Sequence, residues 1–149
     1  MNYALVIGIL SVVISQATKV VTAYIAEKKF TPMIILSNGG MPSSHTAFVV
    51  SVAISIALSV GMSSPIFAVA AMMAMIVIND AMGVRYEAGK HAFVLNQIID
   101  DMKELSMKDE AYDQKLKELL GHKPIEVLGG IITGTIVSLL GYFLLFPYF

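Results

Sequence analysis

From Tyr3 to Ala26 the chain is apolar and carries a single charge, Lys19. At about 1.5 Å of rise per residue, a helix of that length crosses a hydrocarbon core of about 30 Å. A second run of similar length extends from Ile125 to Phe146, and two shorter ones, Thr46–Met62 and Pro65–Ile78, lie between. Backbone polar groups in lipid must be satisfied within their own segment, so apolar runs of this kind fold as helices. Gly61, Ser63, Ser64 and Pro65 part the two shorter runs, which predicts a helical hairpin that is tilted or shielded by its neighbours. The composition points the same way. Charged residues make up 14% of the chain, against the roughly 25% that a soluble domain uses to cover its surface. The expected fold is all-α, an integral membrane bundle of about four segments.

The composition also excludes some functions. A net charge of -1 offers no basic face to nucleic acid, and the absence of cysteine rules out disulfides and thiol chemistry. The N-terminal apolar run has no basic flank and no small-residue cleavage site, so it reads as a retained first span.

The region from Arg85 to Lys123 differs from the rest, carrying seven of the ten basic residues. Phe93, Leu95, Ile98, Ile99 and Met102 recur at helical steps between charges, which predicts an amphipathic helix. The polar stretch MKDEAYDQKLKELLG that follows Ser106 predicts a second short helix, capped by Gly121. Lys28 and Lys29 fall in the first loop, and the Arg85–Lys123 cluster falls in the third. Both loops lie on one side of a four-span chain. The positive-inside rule makes that side cytoplasmic.

Unusual polar residues gather at the same level. Lys19 lies late in the first span, His45 opens the second, Asp80 and Arg85 close the third, and His122 and Glu126 open the fourth. Ionisable groups at membrane depth are costly and mark functional sites. Around His45 the sequence reads SNGGMPSSHTA. Here Pro42 suits a first helical turn, Ser43 and Ser44 can cap amides, and Gly39 and Gly40 permit close backbone approach. A helix start of this type favours phosphate. In GHKPIEVLGG, His122 and Glu126 are four residues apart. On one helix they would share a face, with the carboxylate orienting the ring. Arg85 is a planar, permanent cation suited to phosphate. Asp80 could orient Arg85, bind a metal or cap the chain.

Taken together, GGMPSSH, NDAMGVR and ELLGHKPIEVLGG resemble the divergent branch of the PAP2 superfamily, the type 2 phosphatidic acid phosphatase and vanadium haloperoxidase-related group. The likeness covers Lys19 to Gly130 of the chain. It implies one PAP2-like domain over residues 1–149, with the polar helical region at about 85–121 as an insertion. It implies a membrane phosphatase that hydrolyses a lipid or isoprenoid phosphate monoester or pyrophosphate through a phosphohistidine. Lys19 matches the phosphate-binding lysine of the family. PSSH at Pro42–His45 matches the second signature, with Ser44 where the family has glycine and His45 as leaving-group acid. Arg85, His122 and Glu126 fill the third by residue type, as phosphate ligand, nucleophile and orienting carboxylate. Glu126 stands where the family has aspartate. Such chemistry needs no cofactor, and magnesium at Asp80 is the alternative. The expected partners are a phosphorylated lipid, the bilayer and a second copy in a homodimer. The alternative function is a non-enzymatic lipid-phosphate binder or transporter that uses the same cationic pocket.

Overall fold

A computed structural model of the chain describes residues 2–27, 40–104, 115–118 and 121–149. Lys28, Lys29, Gly39 and most of the stretch after Ser106 lie outside the described residues. The elements are α1 (Tyr3–Glu27), α2 (Ser44–Val60), α3 (Pro65–Met82), α4 (Val84–Glu104) and α5 (Pro124–Leu144), followed by a 3-10 turn at Phe146–Tyr148. The architecture is an all-α membrane helical bundle. Tyr3–Ile25, Pro65–Met102 and Pro124–Leu144 are long and apolar enough to cross a membrane, and Ser44–Val60 is a shorter apolar helix.

Local chemistry sets the breaks. Ser43 caps α2, its side chain accepting from the Thr46 amide. At the far end of α2, Gly61 at φ +91° turns the chain and donates its N–H to the Ala57 carbonyl. Ser64 then caps α3 and Pro65 takes its first position, where a missing N–H costs nothing. The hairpin expected from these residues is present. Pro42 takes a different place from the one its sequence suggests. It precedes the Ser43 cap and so lies outside the first turn of α2.

At the centre, α2 packs against both α1 and α5, α3 leans on α2, and α4 on α3. Small residues make the close approach possible. A Cβ on Gly130 would come within 2.5 Å of the Ser43 carbonyl oxygen, and one on Gly134 within 2.6 Å of the Ala47 carbonyl oxygen. In lipid, where apolar burial does not drive helices together, such backbone proximity and interhelical hydrogen bonds hold them. Ser138 Oγ donates to the Ser51 carbonyl at 3.0 Å, and the Ser11 and Ser51 hydroxyls lie 2.8 Å apart. Tyr3, Ile7 and Val137 close the bundle at the end away from the site, with Phe146 edge-on to Tyr3.

The amphipathic helix expected after Arg85 is α4. The second short helix is not borne out where it can be followed. Lys115, Leu116, Lys117 and Glu118 are non-helical. Asn96 explains why. Its amide donates to the Leu116 carbonyl and accepts from the Leu116 N–H, both at 3.0 Å, so one buried side chain satisfies the backbone of a non-helical residue. Gly121 is likewise not a helix cap. At φ +83° it presses the chain onto the start of α4, where a Cβ would fall 2.5 Å from the Tyr86 nitrogen.

Candidate functional site at the ends of α1, α2 and α5

The start of α5 is tied to two other helix ends through the backbone. The His122 N–H donates to the Ala81 carbonyl at the end of α3, at 2.9 Å. The Ser43 N–H donates to the Glu126 carbonyl, also at 2.9 Å. These bonds bring the stretch before α2 against the stretch before α5. The His45 and His122 rings then face each other edge-on with centroids 6.1 Å apart.

The two histidines have different surroundings. His45 is exposed on the first turn of α2. His122 is buried, 5% exposed, and neither ring nitrogen has a hydrogen-bond partner among the described residues. Buried polar atoms are nearly always paired, so two orphaned nitrogens on one ring mark a group held ready for something else. His122 precedes the Lys123 cap of α5 and lies outside the apolar spans. The shared helix face anticipated for His122 and Glu126 therefore does not exist.

Glu126 is also engaged differently from the expectation. Its carboxylate accepts from the Gly40 N–H at 3.3 Å and from the Lys123 N–H at 3.2 Å. It pins the glycine turn instead of gripping the histidine ring, and acts on His122 through its charge. Gly40, at φ +100°, fits between this carboxylate and Lys19, whose Cγ and Cδ lie 3.3 Å from where a Cβ would stand. Lys19 is 1% exposed. Ser43 is fully buried and committed to capping, with Thr46 Oγ1 donating to it at 3.0 Å. The amides of Ser44 and His45 open the helix, where no preceding turn supplies an acceptor.

Arg85, on the first turn of α4, forms an ion pair with Asp80 at the end of α3. The pair is largely exposed, so it contributes little stability and serves mainly to place the guanidinium. Of the roles open to Asp80, orientation of Arg85 is the one this geometry fits. Among the described residues, no three His, Asp or Glu side chains gather as metal ligands.

Contacts join His45 to His122 and Gly40 to both Glu126 and Lys19, while Arg85 contacts Asp80. Glu126, His45, Lys19 and Arg85 all act electrostatically on His122. Burial pushes the His122 pKa below the ordinary 6.5 of histidine; the nearby Glu126 carboxylate opposes this, and His45, Lys19 and Arg85 add to it. The sign follows directly. The unfolded chain takes up this proton first, so stability falls as pH drops through and below 6.5 and is flat with respect to His122 above it. An NMR titration of the protein in micelles is expected to place the His122 midpoint below 6.5. A His122 midpoint above 6.5 would contradict the buried, cation-flanked setting.

Two positioning residues escaped the sequence reading. Thr22 Oγ1 donates to the Met41 carbonyl at 2.7 Å, and Gln16 Nε2 to Ser44 Oγ at 3.4 Å. Both stand three residues from Lys19, one on each side. On a helix that spacing shares its face. The spacing alone could have drawn attention to them.

Fold and site define a membrane helical bundle with a cation- and histidine-lined cluster at one end of its helices. The chain belongs to the Divergent PAP2 family, which it matches over residues 1–137. It is 38% identical to a Bacillus subtilis (strain 168) protein named "Uncharacterized membrane protein YuiD", over 95% of this chain and 96% of the relative. No solved structure matches the chain.

Proposed function

We propose that this protein is a membrane phosphohydrolase for a lipid or isoprenoid phosphate, acting through a phosphohistidine. The observation that carries the reading is the facing of His45 and His122 at 6.1 Å, with both nitrogens of the buried ring unpartnered among the described residues. In-line attack needs a nucleophile about 3–3.5 Å from phosphorus, and a leaving-group acid needs to lie about 2.6–3.2 Å from its oxygen. Those two reaches together fit the observed gap between the rings. Membership of the Divergent PAP2 family supports the same chemistry.

In the mechanism, Lys19, Arg85 and the amides opening α2 hold the phosphoryl oxygens. His122, neutral at physiological pH, attacks phosphorus. The bond to the lipid oxygen breaks, and His45 gives that oxygen its proton. His45 then takes a proton from water, which attacks the phosphohistidine and releases phosphate. Glu126 holds Gly40 and Lys123 in place and offsets the positive charge on the phosphorylated ring. Purified protein is expected to release phosphate with EDTA present from at least one of phosphatidate, phosphatidylglycerophosphate or a prenyl phosphate. No release from any of the three would remove the enzymatic reading.

One observation favours a second reading. Glu126 spends both carboxylate oxygens on backbone amides, and among the described residues the His122 ring has no carboxylate partner. A lipid-phosphate binder or transporter would tolerate that. It would bind phosphorylated lipid with no turnover in the same assay.

The charge distribution supports a multi-pass arrangement with the site at the cytoplasmic face. The chain has no cysteine, so single cysteines report topology cleanly. A cysteine at Arg85 is expected to be labelled from the cytoplasmic side and one at Ser63 from outside. The reverse pattern would invert the orientation.

A further inference from the structure

We propose that α4 lies along the bilayer surface at the site end of the bundle, with Val94, Leu95, Ile98 and Met102 inserted among neutral lipids. This inference does not depend on catalysis. At about 100° per residue these four side chains fall on one face of α4, and Val84 stands in line with Leu95 three turns before it. The four are between 47% and 51% exposed.

The chain itself occupies another side of the helix. Gly89, Ala92 and Asn96 are buried, and they lie roughly 140° round the helix from the apolar face. Asn96 holds Leu116 through two bonds and donates to Glu118 Oε1 at 2.7 Å. Lys115 pairs with Asp100 at 3.1 Å, and Gly121 presses on Tyr86. The returning chain therefore runs antiparallel to α4, back to its start.

That arrangement sets the depth of α4. Within the apolar run Pro65–Met102, α3 alone has 18 residues, about 27 Å of helix, close to the thickness of a hydrocarbon core. It ends at Met82, and the exposed Asp80–Arg85 pair straddles the Gly83 break, so this joint lies in the polar zone. The approach to α5, the next span, is tied to the same joint by the His122 N–H on the Ala81 carbonyl. From the joint α4 does not re-enter the hydrocarbon. Lys115, Lys117 and Glu118 accompany its middle as charged, non-helical chain, which a bilayer core does not accept. Two courses remain. Projecting into water leaves the four apolar side chains wet. Lying flat places them at the headgroup and acyl boundary, continuous with the exposed Val69, Met72, Met73 and Ile76 of α3. Glu87 and Asp101 border the face and Lys90 is already paired with Glu87 at 2.8 Å, which suits neutral lipid over anionic. A second copy fits less well. A helix pair needs an apolar seam sustained over several heptads, and Glu87 and His91 interrupt this one before Val94.

The chain has no tryptophan, so Leu95→Trp, Ile98→Trp and Gln97→Trp each give one fluorophore in the full-length protein. Gln97 is exposed on the polar side of α4. In vesicles of phosphatidylcholine with brominated acyl chains, emission from Leu95→Trp and Ile98→Trp is expected to be quenched severalfold more than that from Gln97→Trp. Aqueous iodide is expected to give the reverse order. Equal iodide quenching of all three would overturn the proposal and set α4 in water. Protection of Leu95→Trp and Ile98→Trp from both quenchers would also overturn it, because protein, such as a second copy, would then cover the face. Where a tryptophan variant fails to reconstitute, a spin label on Val94→Cys, in a chain that otherwise lacks cysteine, decides by collision. Lipid-soluble oxygen is expected to reach it better than an aqueous nickel chelate does, and the opposite preference sinks the assignment.

Discussion

His122→Ala is expected to abolish phosphate release and phosphoenzyme formation together, while His45→Ala slows the first step in proportion to how badly the leaving group needs a proton. The asymmetry follows from the two environments. The His122 ring is buried and its nitrogens have no partner among the described residues, the setting of a nucleophile kept neutral and free. Losing it removes the atom to which phosphorus transfers. His45 is exposed, and its role is proton transfer, worth about 10²–10⁴-fold where the leaving oxygen is a strong base. A lipid alkoxide is such a base; nitrophenolate is not. His45→Ala is therefore expected to lose most of its rate on a lipid phosphate and much less in the first step on nitrophenyl phosphate. With that substrate an acid-labile phosphohistidine should accumulate, because the water step lacks its base. Equal losses on both substrates would take the acid role away from His45. Residual phosphoenzyme in His122→Ala would move the nucleophile elsewhere.

Much of this site was legible in the chain. Lys19, His45, Asp80, Arg85, His122 and Glu126 stand out because charge is rare in so apolar a sequence, and topology puts their helix ends together. The spans were legible for the same reason. What the sequence concealed was the bonding. Four-residue spacing suggests a shared helix face for His122 and Glu126, but Pro124 starts α5 two residues after the histidine, and the carboxylate turns to the Gly40 and Lys123 amides. The charged stretch through Leu116 has helical composition. A single buried Asn96 from another helix overrides it locally, and no local pattern announces a partner twenty residues away. The seam of serines is equally silent in sequence, since Ser residues in lipid-facing and inward positions read alike until the helices are set side by side.

The glycines of α5 belong to that hidden part, and they carry the largest expected effect on folding. GHKPIEVLGG reads as a histidine motif followed by incidental glycines, yet Gly130 and Gly134 meet α2 backbone, which cannot move aside as a flexible side chain can. Gly130→Val places carbon against the Ser43 carbonyl and Thr46 Cβ, at 2.5 and 2.8 Å before any relaxation. Relief requires α5 to separate from α2. That separation strains the Ser43 amide bond to the Glu126 carbonyl and the facing of His45 and His122. Overpacking of this kind costs about 1–3 kcal/mol or more. Gly130→Val is thus expected to lower Tm in micelles by several degrees and to lose phosphate release even where the protein stays folded. Gly61→Ala is the matched comparison. Its Cβ would meet nothing within 4 Å, and only the φ of +91° resists it. That change is expected to cost about 1–3 kcal/mol and to leave the rate intact, because the strain is confined to the far hairpin. A Gly130→Val protein with unaltered Tm and rate would mean that α2 and α5 do not pack through this glycine face.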